Sequence, residues 1–252
     1  MKNHLTLLCL VALILVTLGC RAQKINETAI TFLVDATDQS VFNAIESDYN
    51  QNLNTFFTNT GIGTIGFGQR LTIRMGAIDE SDQLSLQSRS IALTDKRVSR
   101  KEAERQRNPR PLLEMINSEL SRCKQLSEKT MSSSPVIDVT LKVFREMNTE
   151  AREIVVICTD GLENSNYANF YKKIPSTEQA MEKLISKIDP ILLAEAKEQI
   201  ALTDPEVVVV LKPNDKAKKT LELKKFYDEF FRKLGVNTIR FIDSLNNNPH
   251  LS

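Results

Sequence analysis

The sequence predicts an α/β fold, doubly wound about a mainly parallel sheet of about six strands with helices on both faces. Three observations predict it. Compact apolar runs, AITFLV at 29–34, EIVVIC at 153–158 and EVVVVL at 206–211, have the composition of strands buried on both faces. Between such runs, apolar residues recur at helical spacing. No internal repeat or low-complexity linker interrupts the alternation, so one domain over 27–246 is the economical organisation. The 252 residues suffice for a full core.

The elements follow in order. After the strand Ala29–Val34, a helix over about 40–57 places Val41, Phe42, Ile45, Tyr49, Leu53 and Phe56 on one face. Leu71–Ile78 alternates as a strand, and Leu84–Leu93 forms another beside it. The stretch 94–110, TDKRVSRKEAERQRNPR, has the composition of a solvated helix closed by Pro109 and Pro111; a docking patch for an anionic partner is the alternative. Leu112, Leu113, Ile116, Leu120 and Cys123 then define a helix over about 111–128. Ser134-Pro135 opens the next helix, with Ser as the cap and Pro in the first turn, and Val136, Val139, Leu141, Val143 and Phe144 supply its apolar residues.

Glu153–Cys158 is the next strand. Ser176-Thr177-Glu178-Gln179 matches a capping box ahead of Met181, Leu184, Ile185 and Ile188. Pro190 breaks that helix, and a second segment runs to about 202. Glu206–Leu211 is a strand, Ala217–Leu234 a helix ending at Gly235, and Val236–Ile242 the last strand. Leu223, Phe226, Tyr227, Phe230 and Leu234 form a core-facing stripe, with Lys224, Lys225, Arg232 and Lys233 on the wet face.

Composition excludes several functions. With 33 basic and 32 acidic residues the formal charge is +1, which gives no case for nucleic acid. The two histidines are His4 and His250, near the ends, so a zinc site of several His is excluded and a Ser-His or Cys-His system would have to recruit His250. Gly61, Gly63 and Gly66 spell Gly-x-Gly-x-x-Gly, but a strand follows where a helix is required; a loop, not a dinucleotide site, is expected.

The N-terminus predicts export. Lys2 precedes a fourteen-residue apolar stretch, Leu5–Leu18, short for a membrane span and suited to a secretory signal. Thr17-Leu18-Gly19-Cys20 resembles a bacterial lipobox, with cleavage after 19 leaving Cys20 to carry a lipid anchor into the membrane. Cys20-Arg21-Ala22 is the alternative, an ordinary cleavage site giving a periplasmic or secreted protein cut after 22. Of the remaining cysteines, Cys123 and Cys158 are expected as two separate buried thiols.

Two buried strands end in oxygen-rich turns: Asp35-Ala36-Thr37-Asp38-Gln39-Ser40, and Thr159-Asp160-Gly161. In a doubly wound sheet, ligands bind outside the carboxyl ends of strands where the winding reverses. If these strands are neighbours, two carboxylates and several hydroxyls meet at one rim. A hard cation, Mg²⁺ or Ca²⁺, takes such oxygens and keeps waters in its other positions.

These motifs, in this order of strands and helices, resemble the von Willebrand factor type A domain family. There the first strand ends in Asp-x-Ser-x-Ser, a Ser or Thr precedes a middle helix, and the fourth strand ends in Asp, together forming a metal-ion-dependent adhesion site. The resemblance implies metal ligation by Asp35 and Thr37, by one of Ser132, Ser133 or Ser134, with Ser134 at the helix start, and by Asp160. Gln39 stands where the family has its second serine; its carbonyl is a possible fifth ligand of different reach, and Ser40 is one residue out of register. The implied function is binding of a protein partner in the bacterial envelope, a partner Asp or Glu completing the metal's shell. A metal-free scaffold for envelope assembly is the alternative. A rival from another class is a haloacid-dehalogenase-like Mg²⁺-dependent phosphohydrolase, with Asp35, Thr159, Lys212 and Asp243 in its roles; against it, Thr37 stands where such enzymes carry their second Asp.

Overall fold

The computed structural model of the chain describes residues 26–59, 66–81, 84–93, 99–129, 131–212 and 217–244, and no side chains over 50–59 or at 217 and 218. The apolar N-terminal stretch, Cys20, Gly61, Gly63 and both histidines lie outside the described residues. Among the described residues, no helix is long and apolar enough to cross a membrane.

Six strands form one sheet: β1 (Asn26–Asp35), β2 (Gln69–Ile78), β3 (Gln87–Leu93), β4 (Ala151–Thr159), β5 (Glu206–Leu211) and β6 (Thr238–Ile242), in the order β3-β2-β1-β4-β5-β6. All neighbours are parallel except β2 and β3, which pair antiparallel. The helices are α1 (Gln39–Asn59), α2 (Arg100–Gln106), α3 (Arg110–Ser127), α4 (Val136–Arg145), α5 (Glu178–Ile185), α6 (Pro190–Thr203) and α7 (Ala217–Leu234). This is the doubly wound α/β class. From β1 the chain winds outward to β2, and from β4 it winds the other way to β5 and β6. Crossovers of one hand running in opposite directions must put their helices on opposite faces.

The two halves of the core show this. On one face, Val41, Phe42 and Ile45 of α1 and Leu112, Ile116 and Leu120 of α3 pack on Ile30, Phe32, Val34, Val156 and Val208. On the other, α4, α5, α6 and α7 cover Leu33, Val155, Ile157, Val207 and Val209. Alternate residues of β1, β4 and β5 therefore serve opposite cores, so these strands are apolar without a polar face. Burying each of the four valines of β5 contributes on the order of 2 kcal/mol. Phe226, Phe230 and Phe231 of α7 fill the second core together with Tyr227, the role the sequence stripe predicts.

Several local expectations are corrected. Ser134 does not cap α4: Pro135 takes the cap position with no side-chain hydrogen bond, and the buried Glu163 carboxylate accepts from Ile137 N at 2.9 Å instead. The cap of α5 is Thr177, accepting from Ala180 N, one residue beyond the Ser176 of the expected capping box. The third strand starts at Gln87, three residues after Leu84. Within the basic stretch the described helix is α2, seven residues without a buried side chain. Gly235 ends α7 at φ 103°, a left-handed conformation that glycine adopts without Cβ strain. Cys123 and Cys158 are separate, buried free thiols, and burial pushes each up to about 12.

Candidate functional site

The register of β1 on β4 aligns Val34 with Cys158, so the next positions, Asp35 and Thr159, stand side by side at the carboxyl ends of adjacent strands. Between these two strands the winding reverses, the place where doubly wound sheets bind their ligands. Period-two alternation points Asp35 to the α4 face with Leu33, and Thr159 to the same face with Ile157. Thr159 Oγ1 donates to Asp35 Oδ2 at 2.6 Å and accepts from Gly161 N at 2.9 Å.

Asp35 is 1% exposed. Its Oδ1 accepts from Thr37 N at 3.0 Å and Thr37 Oγ1 at 2.6 Å, a side-chain turn that bends the chain off the strand toward α1. Asp38 then caps α1, accepting from Ser40 N, Ser40 Oγ and Val41 N. Gln39 is the exposed first residue of α1. Ser40, one residue beyond the motif's register, is thus committed to Asp38 rather than to the rim.

Asp160 follows the end of β4, its Oδ1 accepting from Leu162 N at 2.8 Å. Gly161 at φ 79° makes the turn; a Cβ there would meet Leu211 Cδ2 at 2.9 Å. The connection after β4 is stitched to the segment before α4. Ser134 and Asn164 exchange backbone hydrogen bonds, and Asn164 Nδ2 donates to Ser132 O at 2.8 Å. Of the three candidate serines, Ser132 donates its hydroxyl to Glu80, whereas Ser134 is 4% exposed with a buried Oγ that has no hydrogen-bond partner.

Charge at this rim is poorly compensated. Burial pushes the Asp35 carboxyl up from its ordinary range, and the hydrogen bonds from Thr159 and Thr37 pull it back only in part. Asp160 is pushed up to about 6, by burial first and the Asp35 charge second. Among the described residues neither carboxylate forms an ion pair. The Ser40 hydroxyl, by contrast, holds Asp38 below the usual carboxylate range.

Sequence reasoning missed two residues. Glu163, fully buried beneath α4, is pushed up to about 7, by burial first, with the Ser165 hydroxyl offsetting a part. Its neighbours, Gly161-Leu162 before it and Asn164-Ser165-Asn166 after it, are mostly polar, so the sequence gives no sign of its burial. Tyr171 stands at the rim half-exposed, its phenol pushed up to about 12 by burial and then by the charges of Asp160, Asp35 and Asp38. Nothing in its local sequence marks it.

The arrangement offers two carboxylates and hydroxyls to a ligand. Among the described residues, no three His, Cys, Asp or Glu side chains gather closely enough to hold a metal, so a cation here would depend on hydroxyl oxygens and water. Lys212, cast as the phosphohydrolase lysine, donates to Asp48 Oδ2 at 2.7 Å and to Asp243 O at 3.3 Å.

No protein-family model matches the chain, and no curated protein matches it in sequence. Among solved structures it is similar to the human COPII-coat protein Sec24c, at 13% identity and a TM-score of 0.34. That match covers 88% of this chain and 30% of the other, a likeness too slight to bear on function.

Proposed function

We propose that the chain is a protein-interaction module that binds its partner at the rim of β1 and β4 through a divalent cation, in the manner of the von Willebrand factor type A domains its motifs resemble. One observation carries this reading: two segments 125 residues apart in sequence set Asp35 and Asp160 at neighbouring strand ends, without a cationic partner among the described residues. The residues present fit a hard cation in kind. Asp35 and Asp160 would supply charge, and Thr37 and the partnerless Ser134 hydroxyl would supply neutral oxygens. Gln39 is the weakest member, exposed at the start of α1.

A bound cation would supply positive charge at the rim for a partner's Asp or Glu. The chain's own part is to hold the oxygens in place. Asp35 is fixed by three hydrogen bonds, and Ser134 is tied to the β4 connection through Asn164. Recognition rather than turnover suits this set, because the Lys212 ammonium is engaged by Asp48. The reading includes export, on the strength of the apolar N-terminal stretch, with lipidation at Cys20 as the anchor.

The test is thermal unfolding in EDTA, Mg²⁺, Ca²⁺ and Mn²⁺. An ion selective for the folded state must raise the midpoint, and Asp160→Ala must lose that rise. Because the cation competes with protons at Asp160, the rise should be larger at pH 8 than at pH 5. Equal midpoints in EDTA and in all three ions would overturn the reading.

A further inference from the structure

Beside the carboxylate rim lies an open cleft of about 470 Å³, between the connection after β4 and the start of α7. Its lining carries Lys172, Lys173 and Lys219 against one acid, Glu222, with Ser176 and the exposed ring of Tyr171. Among the described residues none of the three lysines forms an ion pair, although most exposed lysines of α7 do. The cleft is preformed. Phe170 at its floor packs edge-on against Phe226, with centroids 4.6 Å apart, and the backbone amides of Lys172 and Lys173 donate to Asn169 O at 3.2 and 3.1 Å. It is also within electrostatic reach of the rim. Lys219 Nζ lies 5.6 Å from the centroid of the Tyr171 ring, and the charge of Lys219 acts on Asp160.

We infer that this cleft takes an acidic segment of a protein chain, a second contact for the partner that binds the rim, with Tyr171 as the wall common to both. The inference rests on the partner-binding reading and names the partner's chemistry: carboxylates spaced along an extended strand. Two features favour a peptide. The cleft is open and half polar, with three lysines to complement carboxylates, whereas small-molecule pockets are largely apolar and enclose most of their ligand. Tyr171 supplies a rigid amphipathic surface of the kind enriched in protein interfaces.

The test is fluorescence anisotropy of a fluorescein-labelled decapeptide of alternating Glu and Gly, measured on the whole protein at low salt, in EDTA and in Mg²⁺. Wild-type protein is expected to bind in EDTA and to release the peptide as salt rises. The triple variant Lys172→Ala, Lys173→Ala, Lys219→Ala should bind about ten-fold more weakly, each exposed charge contributing a factor of roughly two. These side chains reach no core, and circular-dichroism melting checks that the variant remains folded. Tyr171→Ala should weaken binding further. No binding in EDTA, or equal binding by wild type and triple variant, overturns the inference. Tighter lysine-dependent binding of labelled decathymidylate also overturns it, in favour of a nucleic acid. Mg²⁺-dependent binding that ignores the lysines leaves the rim reading standing and sinks the cleft; lysine-dependent binding indifferent to Mg²⁺ and EDTA does the reverse.

Discussion

Replacing Glu163 by Gln tests the electrostatics beneath the rim. The carboxyl is fully buried and caps α4 through Ile137 N at 2.9 Å. A helix N-terminus favours the charged form by up to about 2 kcal/mol, but burial here is larger and wins, pushing the group to about 7. Raising a carboxyl from 4.5 to about 7 corresponds to about 3 kcal/mol. Below pH 4.5 both folded and unfolded chains hold the proton, and the group contributes nothing to pH dependence. Between 4.5 and about 7 the unfolded chain gives up its proton first, so stability falls as pH rises. Above that range the full penalty is present. Glutamine keeps the acceptor for Ile137 N and does not titrate. The assay is urea unfolding of both proteins at pH 5 and pH 8. Asp35 and Asp160 titrate in the same direction and remain in both, so the informative quantity is the difference between the two pH responses. The variant should lose about 2–3 kcal/mol less than wild type between those pH values. Identical pH responses would refute the reasoning, because Glu163 would then be charged in the folded protein at both.

Three further perturbations follow from the same geometry. Asp35→Asn keeps the shape but removes a buried charge, so it should raise the melting midpoint in EDTA at pH 8 and lose the response to divalent cations. Gly161→Ala puts a Cβ into a left-handed residue and 2.9 Å from Leu211, which should cost about 1–3 kcal/mol in urea unfolding. Arg74→Met strands Glu153, which is buried and bonded to Arg74 through both oxygens, and should cost about 3–5 kcal/mol by the same measurement. Arg74→Met with Glu153→Met should recover much of that loss, since the buried charge goes with its partner.

The fold was largely legible because the signals that define it are local or periodic. EVVVVL gave its strand to the residue, and the span Ala217–Leu234 with its terminal glycine is the observed α7. The adjacency of Asp35 and Asp160 was legible too, since two double-sided strands ending in carboxylates have one natural meeting place in a doubly wound sheet. The cap of α4 was not. Ser134 has the chemistry of a cap, but a residue 26 positions beyond Ile137 accepts from that amide instead, and only the packed connection after β4 brings Glu163 there. The lysine cleft was equally hidden, because its charges come from Lys172, Lys173 and Lys219 on two separate elements whose local sequence looks like ordinary wet surface.

The two ends of the sheet treat their acids differently, and the contrast bears on what the rim is for. At the amino ends of the parallel strands, Glu27 pairs with Arg70, Glu153 with Arg74, and Glu206 with both Arg152 and Arg240. Each pair ties neighbouring or near strands, and each carboxylate has its counter-charge built in. At the carboxyl ends, Asp48 is neutralised in the same way by Lys212 at 2.7 Å. Asp35 and Asp160 are held instead by hydroxyls and backbone amides, which fix the position of a carboxylate without cancelling its charge. Stability alone would favour a lysine or an apolar residue here, because desolvating two neighbouring carboxylates is unfavourable, and burial pushes both carboxyls up. A cost of this kind, confined to the rim where the winding reverses and absent from the paired opposite end, is what the proposed binding there would account for.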